Sequence, residues 1–371
     1  MFGEADIPEI AETRSVDEYL RSPTKDHSPP LVSVIVPCRN ERRYIVECLE
    51  SIRANDYSPN SIEVLVIDGV SDDGTRDLLQ DYVQQWPRVR WLDNPAGTTP
   101  AALNIGVRHA RGEIVMRMDA HCHYPKNYVN ALVEWLERSG ADNVGGACRT
   151  LPASDSLTAR AIAVALSHPF GVGNSRFRIG TAIPRWVDTV PFGCYRRNVF
   201  ERIGLFDEEL VRNQDDEFNQ RLLQHGGRIL LVPDVTVDYY ARDSIGKVSR
   251  MYYQYGYFKP LVARKLGRVG TVRQVIPALF VATLAAAFLL GIWSATARLV
   301  FAGVLGTYLV ALLIVVAATI PRNGLRVAGF LIAAFPVLHF SYGWGFLRGM
   351  IRFLFRRLPT PVAEKGVPVS R

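Results

Sequence analysis

Charge is missing where the chain is most apolar. From Gln274 to Leu347 only Arg298, Arg322 and Arg326 are charged, against 21% charged residues in the chain as a whole. That distribution excludes a wholly soluble enzyme. Cysteine is scarce as well: Cys38, Cys48, Cys122, Cys148 and Cys194 are dispersed, odd in number and free of any C-x-x-C pair. This excludes a zinc ribbon, a redox dithiol and a complete disulfide framework, and leaves small residues suited to burial in a reducing compartment. The opening stretch MFGEADIPEIAETRS lacks the apolar core of a secretory signal, so the polar part is expected in the cytoplasm. Internal repeats and low-complexity tracts are lacking too.

The net charge of +7 is held unevenly. Residues 242–273 carry eight bases against Asp243 alone, and residues 348–371 six against Glu364, so the chain ahead of residue 242 is net acidic. Basic charge gathered beside apolar spans fits anionic lipid on the cytoplasmic leaflet, and it argues against nucleic acid as a partner.

Short apolar runs rich in β-branched residues predict strands at Leu31–Val36, Ile62–Asp68, Val89–Leu92 and Glu113–Met118. Helical spacing between them predicts a helix burying Tyr44, Ile45, Cys48, Leu49 and Ile52, then one through Leu78, Leu79, Tyr82, Val83 and Trp86. Two more helices are expected from Pro100 to Arg111 and from Pro125 to Arg138. This alternation predicts an α/β domain with a mostly parallel, Rossmann-like sheet. Such sheets bind ligands beyond the carboxyl ends of their strands. Three polar segments fall there: Pro37–Glu41, Asp68–Asp73 and Asp119–His123.

The expected organisation is a flexible arm over 1–30, the α/β domain over 31–241, a basic and aromatic interfacial segment over 242–273, two to three transmembrane segments over 274–347, and a basic amphipathic tail over 348–371. The uncharged runs Gln274–Ala297 and Leu299–Pro321 would each be about 35 Å long as helices, enough to cross a hydrocarbon core. The third tract, Val327–Leu347, contains Pro336, His339 and several glycines. If it also spans, Arg348, Arg352, Arg356 and Arg357 fall outside, against the positive-inside tendency; otherwise it is re-entrant or interfacial.

Four motifs follow one another in the polar part: VSVIVPCRNE (Val32–Glu41), VIDGVSDDGT (Val66–Thr75), MRMDAHCHYP (Met116–Pro125) and NQDDEFNQRL (Asn213–Leu222). In this order they resemble the family 2 inverting glycosyltransferases, which have the GT-A nucleotide-diphospho-sugar transferase fold. The first is similar to that family's Pro-x-x-Asn-Glu loop, the second to its Val-Asp-Asp-Gly-Ser-x-Asp-Gly-Thr turn, the third stands in place of D-x-D, and the fourth resembles its acceptor-side acidic helix. The likeness covers about Leu31 to Val237. With VPFGCYRRNVFERIGLFDE and the apolar tail, the chain looks most like the bacterial exopolysaccharide branch, the succinoglycan-type membrane glucosyltransferases.

The resemblance implies a nucleotide-sugar donor, UDP-glucose or a related UDP-hexose, contacted by Pro37, Arg39, Glu41, Asp68, Asp73 and Asp119. It implies a divalent cation, Mn²⁺ or Mg²⁺, at Asp119 and His121, the imidazole favouring Mn²⁺. It makes Asp215 the base of a single displacement giving a β-linkage, and Phe192, Gly193, Asp216 and Arg221 candidates for acceptor or phosphate contacts. A lipid-linked saccharide acceptor and a multi-pass inner-membrane enzyme with a cytoplasmic catalytic domain complete the expectation. Each residue also has a plainer reading. Asp68 and Asp73 suit a turn and helix cap, Asp119 and His121 a polar surface turn, and Asp215 an acidic helix start stabilised by the helix dipole. Two departures stand out: Gly69 where the family has a second aspartate, and Gln214 where it has a glutamate. They keep open a catalytically inactive membrane scaffold. A processive polysaccharide synthase needs Gln-x-x-Arg-Trp after the base; here Arg185-Trp186, with Ala182 in place of the glutamine, and Arg90-Trp91, with Pro87 in that place, both lie ahead of it.

Overall fold

A computed structural model describes residues 28–355. The expected arm ahead of residue 28 and the tail beyond residue 355 lie outside the described residues. The chain divides into two compact units. The first comprises the chain through Arg149, Gly180–Phe206 and Phe218–Asp238; the second comprises Thr150–Ile179, Asp207–Glu217 and the chain from Tyr239.

The first unit opens with the expected alternation: β1 (Val32–Cys38), α1 (Ile45–Arg53), β2 (Ile62–Asp68), α2 (Thr75–Gln85), β3 (Val89–Asp93), α3 (Thr99–His109) and β4 (Ile114–Arg117). After these come β5 (Cys122–His123), α4 (Tyr128–Ser139) and β6 (Asn143–Leu151). The strands β1 to β4 lie parallel in the order β3-β2-β1-β4. Every residue of β2 is buried, and each fully buried valine, leucine or isoleucine contributes about 1.5–3 kcal/mol. Ile45, Cys48, Leu49 and Ile52 of α1 are buried as the spacing predicts. All five cysteines are buried and unpaired, and burial pushes the thiols of Cys38, Cys48, Cys122 and Cys194 up. They are core residues.

The remainder of the sheet was not expected. β7 (Arg185–Trp186), β8 (Cys194–Arg196) and β9 (Ile229–Tyr240) extend it, with β8 antiparallel to both β4 and β6 and β7 antiparallel to β9. The helices α8 (Asn198–Ile203) and α9 (Gln214–Gln224) lie between these strands in sequence. Register decides where the site forms: Cys38 pairs with Asp68, and Asp68 with Asp93, so the carboxyl ends of β1, β2 and β3 finish level.

The second unit is helical: α5 (Leu157–Ser167), α6 (Pro169–Val172), α7 (Arg176–Ile179), α10 (Ile245–Leu266), α11 (Ile276–Leu290) and α12 (Ala295–Met350). The segment expected to be an interfacial belt is mostly α10, a packed helix that buries Val248, Met251, Gln254, Tyr257, Phe258 and Leu261. Its backbone meets that of α12 so closely that a Cβ at Gly256, Gly345 or Gly349 would collide with a carbonyl oxygen. Apolar helices without bulk between them associate in this way. Two of its bases are spent inside the protein: Lys259 pairs with Asp216 at 2.7 Å and Lys265 with Asp207 at 2.6 Å. These partners lie more than forty residues away in sequence, which is why local pattern assigned the charge to lipid.

Two helical stretches, Val272–Leu290 and Ala295–Leu354, are long and apolar enough to cross a membrane. The second is not one rod. Gly324, at φ 78° and ψ 156°, breaks α12 into two helices. Beyond the break, Val327, Ala328, Leu331, Ala334, Phe335 and Leu338 are buried with Ala161, Ile162 and Ala165 of α5 and Val248 and Met251 of α10. The third apolar tract is thus a continuous helix with one covered face, while Phe330, Ile332 and Trp344 remain exposed.

Candidate donor site and acidic helix

Three loops meet at the carboxyl ends of the parallel strands in the first unit. Asn40 joins the first to the second: its backbone N–H donates to Ser71 Oγ (2.8 Å) and its Nδ2 to Asp72 Oδ1 (2.6 Å), while its own Oδ1 accepts from the Asp72 N–H (3.0 Å). Asp68, wholly buried at the end of β2, accepts from Ser71 N–H (3.1 Å), Ser71 Oγ (2.5 Å) and Arg76 Nε (2.8 Å). The Arg76 guanidinium also pairs with Asp93 and lies 5.1 Å from the centre of the Trp91 ring. Asp68 therefore fastens the turn whatever else it touches.

Asp73 caps α2. It accepts from Thr75 N–H (3.0 Å) and Thr75 Oγ1 (2.5 Å), and from the Arg42 N–H (3.3 Å). Partial burial acts to raise its pKa, but the hydrogen bonds from Thr75 and Arg42 outweigh it and leave the carboxyl below its ordinary value. The contacts shown for Asp73 are structural ones, to the start of α2 and to the loop after β1.

Gly69 has a physical reason. A Cβ there would lie 2.9 Å from Cδ of Arg39, whose Nη1 donates to Gly97 O at 3.1 Å. The arginine side chain lies over the glycine, and an aspartate at 69 would have to displace it. Pro37 sits within β1, opposite Ile67 of β2.

The third loop follows β4. Arg117 grips Asp119 with two bonds, Nε to Oδ1 at 2.6 Å and Nη2 to Oδ2 at 2.9 Å. The guanidinium also lies 5.9 Å from the centre of the Phe192 ring. His121 turns its Nδ1 to Glu41 Oε1 at 3.2 Å, with the imidazole and carboxylate 25% and 21% exposed. The structure therefore engages the expected pair Asp119 and His121 with different partners. Among the described residues no three His, Cys, Asp or Glu side chains gather to hold a metal. An imidazole beside a carboxylate does fit a hard divalent ion whose remaining positions are filled by phosphate and water. His121 and Glu41 are the groups that fit.

Phe192 and Gly193 are held by packing. Phe192 has a positive φ of 47°, and its ring meets Tyr124 edge-on at 6.3 Å. A Cβ on Gly193 would collide with Asn143 and Tyr195. Arg221 donates to the carbonyl oxygens of Ile203 and Leu205, the second at 2.8 Å, and stacks on Phe218. These contacts anchor the turn after α8.

In the second unit, α9 starts with Gln214, Asp215, Asp216 and Glu217. Gln214 and Glu217 are buried, and Asp215 is half-buried. Asp216 is tied to α10 by Lys259 and accepts from Gln274 Nε2 at 3.4 Å. Asn213 ahead of them adopts φ 63° and donates from Nδ2 to Tyr255 O at 2.8 Å. Among the described residues the non-glycine positions with left-handed φ are Asn40, Val70, Phe192 and Asn213. All lie in the loops singled out by sequence, and Val70 is β-branched, for which such a backbone is costly. Strained backbone persists where the surrounding structure over-determines it, which is common at ligand sites.

Arg76, Arg117 and Lys259 escaped the sequence reading. Arg117 left a usable signal: two residues apart on an extended strand, it and Asp119 project from the same face.

The sequence and the fold are similar to those of known proteins. The model of "Glycosyl transferase family 2" matches residues 33–204. In fold, the chain is similar to mannosyltransferase PcManGT from Pyrobaculum calidifontis, solved in complex with GDP-Man and Mn²⁺. The TM-score is 0.53 at 21% identity, covering 89% of this chain and 92% of that one. The chain belongs to the family 2 glycosyltransferases, and its α/β domain is of the GT-A type. Among individual relatives, the succinoglycan biosynthesis protein ExoA of Rhizobium meliloti is 33% identical over 261 residues, 70% of this chain and 78% of that protein. A dolichyl N-acetyl-alpha-D-glucosaminyl phosphate 3-beta-D-2,3-diacetamido-2,3-dideoxy-beta-D-glucuronosyltransferase of Methanococcus voltae is 28% identical over 242 residues, covering 63% and 74%.

Proposed function

We propose that the protein is a membrane-anchored inverting hexosyltransferase of exopolysaccharide or cell-surface glycan synthesis. It takes a UDP-hexose, most simply UDP-glucose, and forms a β-linkage on a lipid-linked saccharide at the cytoplasmic face of the inner membrane. The observation that carries this reading is the knitting of the β1, β2 and β4 loops through Asn40, Asp68 and the Glu41–His121 pair. The relatedness to ExoA supports the glycan class, and the two apolar helical stretches support the anchor.

In this reading Asp68 and Arg76 shape the pocket for the base, and Arg39 lies over its floor at Gly69. His121 and Glu41 would hold the divalent ion, which offsets the charge of the departing diphosphate when bound. The Asp215 carboxylate takes the proton of the acceptor hydroxyl as that oxygen attacks C1 from the face opposite the diphosphate, so the configuration inverts in one step. The single-transfer reading is preferred to a processive one because no Gln-x-x-Arg-Trp follows Asp215.

The test is a panel of UDP- and GDP-hexoses with purified protein and lipid-linked acceptors. Transfer is expected from a UDP-hexose, is expected to stop in EDTA, and to return better with Mn²⁺ than with Ca²⁺. Full activity in chelator would remove the metal; no transfer from any donor would remove the function.

A further inference from the structure

One cavity in the second unit has no part in this chemistry. It measures about 390 Å³ and lies between α5 and the region of α12 around its break. Its polar lining includes Thr150, Arg160, His168, Thr319, Arg322 and Asn323, and no acidic side chain lines it.

The hydrogen-bonding inventory of this lining is weighted toward donors, although Asn323, which donates Nδ2 to Thr319 O at 3.1 Å, keeps its Oδ1 as an acceptor. Thr319 donates its hydroxyl hydrogen to Val316 O at 2.7 Å. His168 accepts at Nδ1 from the Phe170 N–H at 3.1 Å, and burial holds its pKa below the ordinary value. A neutral ring with Nδ1 accepting carries its hydrogen on Nε2. The Thr150 hydroxyl is buried without a hydrogen-bond partner. Arg160 and Arg322 are exposed and have no acidic partner among the described residues. Two guanidinium groups, an imidazole N–H and an unused hydroxyl are donors without an acceptor. Phosphate oxygens are their complement.

Position narrows what carries the phosphate. Arg322 is the first charge after the uncharged run Leu299–Pro321, so the cavity opens where a long apolar helix ends. At such a level basic pockets between apolar helices receive lipid head groups. The volume falls in the ordinary range for small ligands, and Ala163, Val164, Ala318 and Val327 give it an apolar side.

We propose that this cavity binds the phosphate group of a membrane lipid, with Arg160 and Arg322 on its oxygens and His168 and Thr150 donating beneath them. The inference rests on reading α11 and α12 as membrane-embedded. Two sources share this chemistry: the head group of an anionic phospholipid, and a polyisoprenyl phosphate of the kind that carries a lipid-linked saccharide.

The full chain, delipidated in detergent, would be titrated with phosphatidylglycerol or polyisoprenyl monophosphate, and bound lipid counted by native mass spectrometry. One tightly retained lipid is expected. Arg160→Gln with Arg322→Gln should weaken its retention at least tenfold. Ala318→Phe, which fills the cavity and keeps both charges, should do the same. Arg268→Gln removes an exposed charge elsewhere and should change nothing. Tighter retention of either lipid identifies the source and supports the site. Equal retention by all four proteins, or an equal loss in Arg268→Gln, overturns it. Displacement by equimolar inorganic phosphate overturns the lipid as carrier. Alkaline extraction of membranes separates the two readings. A protein that washes off loses the membrane anchor, whereas one that stays but retains no lipid loses this site alone.

Discussion

The acids at the strand ends of the first unit and those opening α9 in the second are held in different ways. Asp68, Asp73 and Asp119 are engaged mainly by Ser71 and Arg76, by Thr75, and by Arg117, all within eight residues in sequence, with one longer-range bond to Asp73 from the Arg42 N–H. Asp216 is engaged by Lys259, from another helix. Short-range partners shape a loop, and their loss should be felt in binding. A long-range partner fastens one helix to another, and its loss should be felt in stability.

Substitutions can break this contrast. The largest effect belongs to Asp215, the proposed base. Asp215→Asn keeps size and polarity but cannot take a proton, so kcat should fall at least about a hundredfold with UDP affinity unchanged. Parallel loss of UDP binding in calorimetry would place Asp215 in the donor site instead. Next comes Asp216→Asn, which leaves the Lys259 ammonium poorly exposed and unpaired. Breaking such a pair costs about 3 kcal/mol, read as a lower urea midpoint, and Lys259→Met in the same chain should recover much of it. A catalytically dead but fully stable Asp216→Asn would shift the base by one residue.

Asp68→Ala should be smaller. Losing a charged hydrogen bond costs about 1.5–3 kcal/mol, so UDP should bind roughly tenfold or more weakly in a folded protein. Unchanged affinity would leave Asp68 only its turn. Smallest is Asp73→Asn, at about 1 kcal/mol for an impaired helix cap. Its sign with pH follows from the lowered carboxyl. The stabilisation is fully present above the unfolded value near ~4 and fades as pH falls through the folded value. Urea midpoints of wild type and variant should therefore differ at neutral pH and converge in acid.

The same distinction of range decides what the sequence made legible. The strands β1 to β4 and their helices came from short apolar periods, and they placed three polar loops correctly beyond the strand ends. β7 to β9 did not, because β7 and β8 are two and three residues long and take their places from distant partners. The internal packing of α10 within the segment 242–273 was not legible for the same reason. Its acids lie at 207–216, and its apolar face meets Gly345 and Gly349, which no local window contains. Within the site, composition pointed to Asp119 and His121 as a pair. Three-dimensional contact adds Arg117 beside Asp119 and Glu41 beside His121.

Gly324 has a consequence on a larger scale. Its φ and ψ lie in a region open essentially to glycine alone. An unbroken α12 of 56 residues would be a rod of about 84 Å, far beyond any bilayer. The bend lets Val327, Leu331 and Phe335 lie buried with Ala161, Ile162 and Ala165 of α5. A residue with no side chain thus sets the direction in which the last apolar tract is laid down, and a growing chain meets that decision only after its first two apolar helices have been made.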